Sequence, residues 1–307
     1  MQKISQYKKN GPLVSIIMNC FNGERYLHQA IKSILEQSYQ NWEIVFWDNK
    51  STDNSEKIFK SYCDNRFHYY KSKKHNPLYE ARNYALFKCK GELITFLDVD
   101  DIWFPEKLSV QIPMFNNIDV GLSCGNYIKL NERKKNNISL KSEYLSLPDG
   151  DVLNELFYEN FVHFSSLMIR KKALNELEYF FDPRFNIIGD YDLLVRLCCK
   201  WKLASIQQPI TYYRWHQNNT GYKGLLISNE FNIWFNEIKN NKNYKKLSNF
   251  IIFEYKIKFY NVLKLLYDGK KIKAFKQINS LSVKHKLKFL IAMILPAKLI
   301  KLWIDGF

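Results

Sequence analysis

Along the first third of the chain, short apolar runs rich in β-branched residues alternate with stretches whose apolar positions recur every three or four residues. Residues 13–18 (LVSIIM) have the continuous apolar character of a central parallel strand, broken by Asn19-Cys20-Phe21-Asn22-Gly23. Tyr26, Leu27, Ala30, Ile31, Ile34 and Leu35 then share one helical face, which predicts an amphipathic helix over residues 24–37. Residues 42–47 predict a second strand ending at Asp48-Asn49-Lys50. Ser51 or Asp53 stands where it can cap a helix running through Lys57, Ile58 and Tyr62. A third strand is expected at residues 67–71, a helix at 77–89 stopped by Gly91, and a buried strand at 93–97.

Beyond residue 116 the pattern loosens. Strands are expected at 120–128 and 161–169, a polar loop at 131–146, and a helix from Lys171. Asp190-Tyr191-Asp192 opens a further helix with Leu193, Leu194, Leu197 and Trp201 inward. The strand at 206–213 is interrupted by Pro209, which marks an edge or a bend. Strand and helix in alternation predict an open α/β sheet with its site at the carboxyl ends of the strands. After about residues 221–229, helical periodicity and lysines take over.

The fourth strand ends in Asp98-Val99-Asp100-Asp101, three carboxylates within four positions. Two readings fit. Closely packed carboxylates repel, and a hard divalent cation removes the conflict; Mg²⁺-type ions take one or two protein carboxylates and complete their shell with water and phosphates. Alternatively the turn is a solvated cap on a helix over residues 103–115, with Pro105 in its first turn. Neither a GxGxxG fingerprint nor a Walker A loop follows the first strand, so any nucleotide is held in another way.

Charge changes the picture in one place. Between Lys239 and Lys301 lie 16 lysines, no arginine and two acids, a local balance of +14 out of a formal +16 for the 307 residues. A nucleic-acid enzyme spreads basic charge, arginine included, around its groove, so this segregation argues against a nucleic-acid partner. The six cysteines lack CxxC spacing and read as reduced core thiols of a cytosolic protein. The polar opening predicts no secretory leader, and no window is apolar enough to span a bilayer. His28, His68, His75, His163 and His285 show no HxxxH or HxH spacing and are expected in structural or surface roles.

Four stretches, VSIIMNCFN (14–22), WDNKSTD (47–53), ARNYALFKCKGELITFLDVDD (81–101) and GDYDLLVRL (189–197), together resemble family 2 glycosyltransferases of the GT-A fold, over about residues 13–220. The resemblance implies an open, mixed, mainly parallel sheet flanked by helices, and a donor loop containing Asn19, Phe21 and Asn22. Phe21 stands where the family usually has a tyrosine stacked on the base, and Asn19 where threonine is commoner. Asp48 matches the carboxylate that accepts from the base, commonly uracil N3–H. Asn49 replaces a frequent second Asp, and Lys50 a frequent Gly. Arg82 matches an arginine near the nucleotide; Asp98 and Asp100 are the DxD pair, with Asp100 first for Mn²⁺ or Mg²⁺, Asp98 for ribose or metal-bound water, and Asp101 able to do either. Asp190 aligns with the general base of an inverting displacement, in a motif that is usually Glu-Asp but here has Gly189 first. Arg214 and His216 stand where a loop of the family reaches the diphosphate or metal.

The chain is therefore expected to hold a catalytic domain at 1–225, with a nucleotide half at about 13–116 and an acceptor half at about 117–225, followed by a basic helical region at 226–307. The expected activity is inverting transfer of a sugar from a nucleotide donor, UDP-linked by the resemblance, to a glycan or lipid-linked acceptor. The alternatives are a sugar-phosphate nucleotidyltransferase and a non-catalytic, membrane-docked nucleotide-sugar-binding protein. Residues 284–302 place a short apolar core between lysines, which suits a helix lying on an anionic membrane at the inner face of the cell; a cap on the catalytic domain or a dimer interface fits the same pattern.

Overall fold

A computed structural model describes residues 11–132, 138–139, 146–216, 224–281, 283–295 and 299–300. The chain divides into two compact units, Met1–Val152 with Phe161–Gln217, and Leu153–Asn160 with Asn218–Phe307. Residues 153–160, expected from the sequence to lie in the catalytic domain, thus belong with the second unit.

The first unit is built on one sheet. Its strands are β1 (Val14–Cys20), β2 (Trp42–Asp48), β3 (Phe67–Lys71), β4 (Leu93–Phe96), β5 (Ile102–Trp103), β6 (Val120–Asn131), β7 (Ile138–Ser139), β8 (Met168–Arg170) and β9 (Lys202–Trp215). They lie in the order β3-β2-β1-β4-β8-β6-β9-β5, with β7 paired to β6. The first four are mutually parallel, β8 is antiparallel to both β4 and β6, and β6 and β9 are parallel. Helices α1 (Glu24–Leu35), α2 (Ser55–Lys60) and α3 (Leu78–Leu86) connect the parallel strands. Alternation along β1 sends Val14, Ile16 and Met18 into one core with Leu27, Ile31 and Ile34 of α1 and with Trp42, Ile44 and Phe46 of β2. Helix α3 packs on β1 and β2. The remaining helices of this unit are α4 (Lys107–Gln111), continued by a 3₁₀ turn over Ile112–Asn116, then α6 (Lys171–Asn175) and α7 (Gly189–Cys198).

Three local expectations are corrected. The helix expected from residue 103 starts only at Lys107, because Ile102 and Trp103 pair with Tyr212 and Thr211 of β9. The strand expected over 161–169 is confined to Met168–Arg170, after a 3₁₀ turn at Phe164–Ser166. Neither Ser51 nor Asp53 is the residue that caps α2; Asn54 stands there, while Asp53 Oδ1 accepts the Ser55 N–H at 3.0 Å. Pro209 sits at a register shift between β6 and β9, the bend that its missing N–H predicts. The polar loop at 131–146 lies mostly outside the described residues, as do residues 217–223.

The second unit contains α5 (Leu153–Tyr158), α8 (Gly224–Ile238), α9 (Lys242–Lys245), α10 (Ser248–Tyr267), α11 (Lys271–Lys276) and α12 (Val283–Ile294). Phe157 explains why α5 joins it: its ring lies 4.9 to 6.2 Å from Phe250, Tyr244, Phe253 and Trp234. Phe289 and Ala292 of α12 pack into a second cluster with Val262, Leu263 and Leu266 of α10. No helix among the described residues is long and apolar enough to cross a membrane.

Candidate active site

The carboxyl ends of β1, β2 and β4 converge, and the loops leaving them carry the polar residues singled out in the sequence. After β1, Asn22 adopts φ 55°, and its side-chain oxygen accepts the Thr52 N–H at 2.8 Å. After β2, Lys50 adopts φ 67°, a left-handed backbone that costs a non-glycine residue roughly 1–2 kcal/mol. That conformation gives a physical reason for a glycine at this position. Asp48 is fully buried; its two carboxylate oxygens accept the Ser51 N–H at 2.7 Å and the Tyr69 O–H at 2.6 Å. Asn49 pairs its amide with the backbone of Asn76, donating to Asn76 O at 2.8 Å and accepting its N–H at 3.0 Å. Asn49 therefore ties two loops together. Phe21 is 49% exposed, its ring centroid 4.1 Å from that of His75, leaving an aromatic surface exposed.

Asn19 has both polar side-chain atoms buried and without a hydrogen-bond partner among the described residues. It lies two positions beyond Ile17, which registers with Phe96, and so is level with Asp98. A buried amide left unpaired costs about 1–3 kcal/mol, so Asn19 has donor and acceptor capacity that the described residues do not use.

The aspartate turn is sorted by its hydrogen bonds. Asp98 accepts from Arg82 Nη2 at 2.7 Å, with the guanidinium buried and lying 4.0 Å from the Phe164 ring centre. Asp100 Oδ2 lies 2.9 Å from His216 Nε2, and the His216 ring stacks on Tyr26 at 5.3 Å. Burial, with the neighbouring Asp101 and Asp98 charges, raises the Asp100 pKa, and the His216 hydrogen bond opposes this. Asp98 Oδ2 and Asp100 Oδ1 have no side-chain partner among the described residues, and the two side chains are 38% and 25% exposed. That donor set suits a hard cation whose remaining ligands are phosphate oxygens and water. Asp101 departs from the expectation that it serves the metal. It is 2% exposed, with Oδ2 2.5 Å from Ser165 Oγ and 3.0 Å from His163 Nε2, and Oδ1 accepting the Arg214 N–H at 3.0 Å. Its carboxylate fastens the turn from within.

Arg214 is likewise engaged by protein. Its Nε donates to Asp100 O at 2.8 Å, Nη1 to Glu132 at 2.8 Å and Nη2 to Gln29 at 2.6 Å, so it holds the turn's backbone instead of presenting a free cation to the cleft.

Asp190 opens α7. Its Oδ1 accepts the Tyr191 N–H at 2.7 Å and lies 3.2 Å from the Tyr79 hydroxyl; Oδ2 has no partner among the described residues. Tyr79 and Arg82 are three residues apart on α3, hence on one face, and they reach Asp190 and Asp98 respectively. The candidate base and the candidate metal turn thus face a single helix. Burial raises the Asp190 pKa; the Arg82 charge and the Tyr191 and Tyr79 hydrogen bonds lower it, and the Asp98 charge raises it. Sequence reasoning missed Tyr79, Ser165, His163, Tyr26 and Glu132. Only the three-residue spacing of Tyr79 from Arg82 was available as a signal.

A family model for glycosyl transferase family 2 matches residues 15–178. The UDP-Glc:alpha-D-GlcNAc-diphosphoundecaprenol beta-1,3-glucosyltransferase of Escherichia coli is 38% identical over 119 residues, which cover 39% of this chain and 47% of that protein. An uncharacterized glycosyltransferase of Methanocaldococcus jannaschii is 28% identical over 262 residues, 83% of this chain and 88% of the other. For the first relatives the matched stretch spans 47 to 59% of their own length. Among solved structures, Staphylococcus aureus TarS residues 1–349 with UDP is similar at a TM-score of 0.54 and 13% identity, over 95% of this chain and 90% of that one. A mannosyltransferase of Pyrobaculum calidifontis, in complex with GDP-Man and Mn²⁺, is similar at a TM-score of 0.57 and 15% identity, over 96% of this chain and 88% of that one.

Proposed function

The chain belongs to glycosyl transferase family 2 and has its GT-A fold, and from that premise we propose that it moves a sugar from a nucleotide-sugar donor to a glycan or lipid-linked acceptor with inversion at the anomeric carbon. The observation that carries this reading is the shared engagement of Asp98 and Asp190 by one face of α3. The donor pocket is formed by Phe21, Asn19 and Asn22, with Asp48 and Arg82 behind them. We take the donor to be UDP-linked, in keeping with the UDP of TarS and the UDP-Glc of the Escherichia coli relative, whose name also supports a diphosphoundecaprenol type of acceptor.

In the reaction, Arg82 orients Asp98, His216 orients Asp100, and the buried Asp101 keeps the turn in place. Asp100 with Asp98 would hold Mn²⁺ or Mg²⁺, which supplies positive charge against the departing diphosphate. Asp190 Oδ2 takes the proton of the acceptor hydroxyl as that oxygen bonds to the anomeric carbon from the face opposite the diphosphate. Burial of Asp190 raises its pKa, which strengthens it as a base.

The second unit supports a place at the inner membrane face. Leu287, Leu290, Ile291 and Ile294 recur at helical spacing on α12, and all are exposed, Leu287 to 65% and Ile294 to 82%. Lys286 and Lys288 flank them, and the surrounding segment is strongly basic. An apolar stripe beside lysines fits anionic lipid. Residues 296–298 and 301–302 of the expected membrane segment lie outside the described residues.

Incubation with Mn²⁺ and a panel of nucleotide sugars tests the reading. Release of nucleoside diphosphate is expected. Pyrophosphate released from sugar phosphate and nucleoside triphosphate would instead identify a nucleotidyltransferase, and silence across the panel a binding protein. Asp100→Asn is expected to lose metal-dependent nucleotide binding. Asp190→Asn is expected to bind donor normally and to lose turnover by about 10²–10⁴-fold.

A further inference from the structure

The residue before Asp190 is glycine where the resembled motif carries glutamate, and the structure shows what occupies the vacated space. A Cβ built on Gly189 would stand 2.5 Å from Tyr79 Cδ2 and 2.7 Å from its Cε2, well inside contact distance. The Tyr79 ring packs against the glycine, is 2% exposed, and stacks on Phe181 at 5.3 Å. Its hydroxyl reaches over the first turn of α7, 2.8 Å from Ile187 O and 3.2 Å from Asp190 Oδ1. Burial holds the phenol well above its usual range, so it stays protonated and acts as a donor.

We infer that Tyr79 is the positioning residue for the Asp190 carboxylate, admitted to that place by Gly189. Together with the Tyr191 N–H, its hydroxyl fixes Oδ1, so the carboxylate cannot rotate freely and Oδ2 is the oxygen left without a partner among the described residues. Ile187 O gives the phenol hydrogen a second acceptor. The hydroxyl can therefore swing toward the carbonyl when Asp190 gains a proton and return to Oδ1 when the proton leaves. No net charge moves onto Tyr79 in this exchange. The charged and titratable groups that act on Asp190 are Arg82 and Tyr79 from α3 and Asp98 from the aspartate turn.

The inference rests on the assignment of Asp190 as the base, and the experiment separates the two. Tyr79→Phe keeps the ring against Gly189 and removes only the hydroxyl. The first readout needs no substrate: carboxyl ¹³C resonances of aspartate-labelled protein are followed against pH, with Asp190 identified by its absence in Asp190→Asn. The Asp190 midpoint is expected to move to higher pH in Tyr79→Phe, since a hydrogen bond that favoured the charged form is gone. An unchanged midpoint overturns the inference. The second readout is nucleoside diphosphate release with the donor found on the panel. Tyr79→Phe is expected to lower kcat about tenfold, the factor of a lost hydrogen bond to a charged group, to leave KM for donor unchanged, and to shift the acid limb of the kcat profile upward. Should Tyr79→Phe unfold, Gly189→Ala serves instead, because its methyl group displaces the ring, and the same upward shift of the midpoint is expected. Near-normal turnover in Asp190→Asn would remove the base itself. Loss of turnover in Asp190→Asn alongside an unaltered Tyr79→Phe profile would remove only the role of Tyr79.

Discussion

Two residues show how a single side chain carries a testable cost. Lys50 is exposed and sits at φ 67°, so glycine there relieves strain while removing no packing. Lys50→Gly is expected to raise stability by about 0.5–1 kcal/mol, the strain relieved less the extra backbone entropy of glycine, as read by urea unfolding. Lys107 is fully buried, donating to Thr95 Oγ1 at 2.9 Å and to Gln111 Oε1 at 2.7 Å, with no carboxylate in that set. Burial holds its amine well below the usual 10.5. The unfolded chain therefore binds the extra proton between the folded value and 10.5, and stability rises with pH across that window. Lys107→Met lacks this term. Thermal unfolding at about pH 7 and about pH 10 should show the wild type gaining on the variant as pH rises. The roles of Asp101 as an inward anchor and of Tyr79 beside Asp190 were not legible at this scale. Asp101 is chemically the same as its neighbours, and only its register against Ser165 and Arg214 turns it inward; Tyr79 on an apolar helix reads as core, which it also is.

Elements defined by their own periodicity were legible, and those defined by distant partners were not. β1, β2, β3, β4 and α1 fall close to the positions their apolar patterns predict. β5 is two residues long and exists because Tyr212 and Thr211 lie beside it, more than a hundred positions away in the chain. Leu108, Ile112 and Phe115 beyond it are spaced like a helix, so the pattern alone extends the helix too early. The junction between α3 and β4 is also set by a remote neighbour. A Cβ at Gly91 would meet Leu13 O and Ser15 N, both backbone atoms, at 2.6 Å. Gly91→Ala is expected to destabilise the first unit by about 1–3 kcal/mol, since backbone atoms yield less readily than side chains, and denaturant unfolding measures it.

For the molecule as a whole, segregation of charge was plain in the sequence, while the exposed apolar stripe beside it was not. Helix α12 carries two apolar stripes: Phe289 and Ala292 face the cluster around Val262 and Leu266, and Leu287, Leu290, Ile291 and Ile294 face outward. A hydrophobic run in sequence cannot say which of its residues stay uncovered. Leu287→Asp combined with Ile294→Asp should leave the far-ultraviolet circular dichroism unchanged. Binding to phosphatidylglycerol vesicles should fall by about tenfold or more, given ~1.5–3 kcal/mol for each large apolar side chain withdrawn from lipid. Undiminished sedimentation with vesicles would assign the stripe to another partner.

The loop between β4 and β5 is anchored in the sheet on both sides, and Asp101 is clasped from beneath by Ser165 and Arg214. Such a segment behaves as a rigid socket and not as a flap. On the function proposed above, a cation-bound nucleotide arriving there would meet oxygens already in position, so little of its binding free energy would go into ordering that turn, and more would remain for aligning the reacting carbon with Asp190.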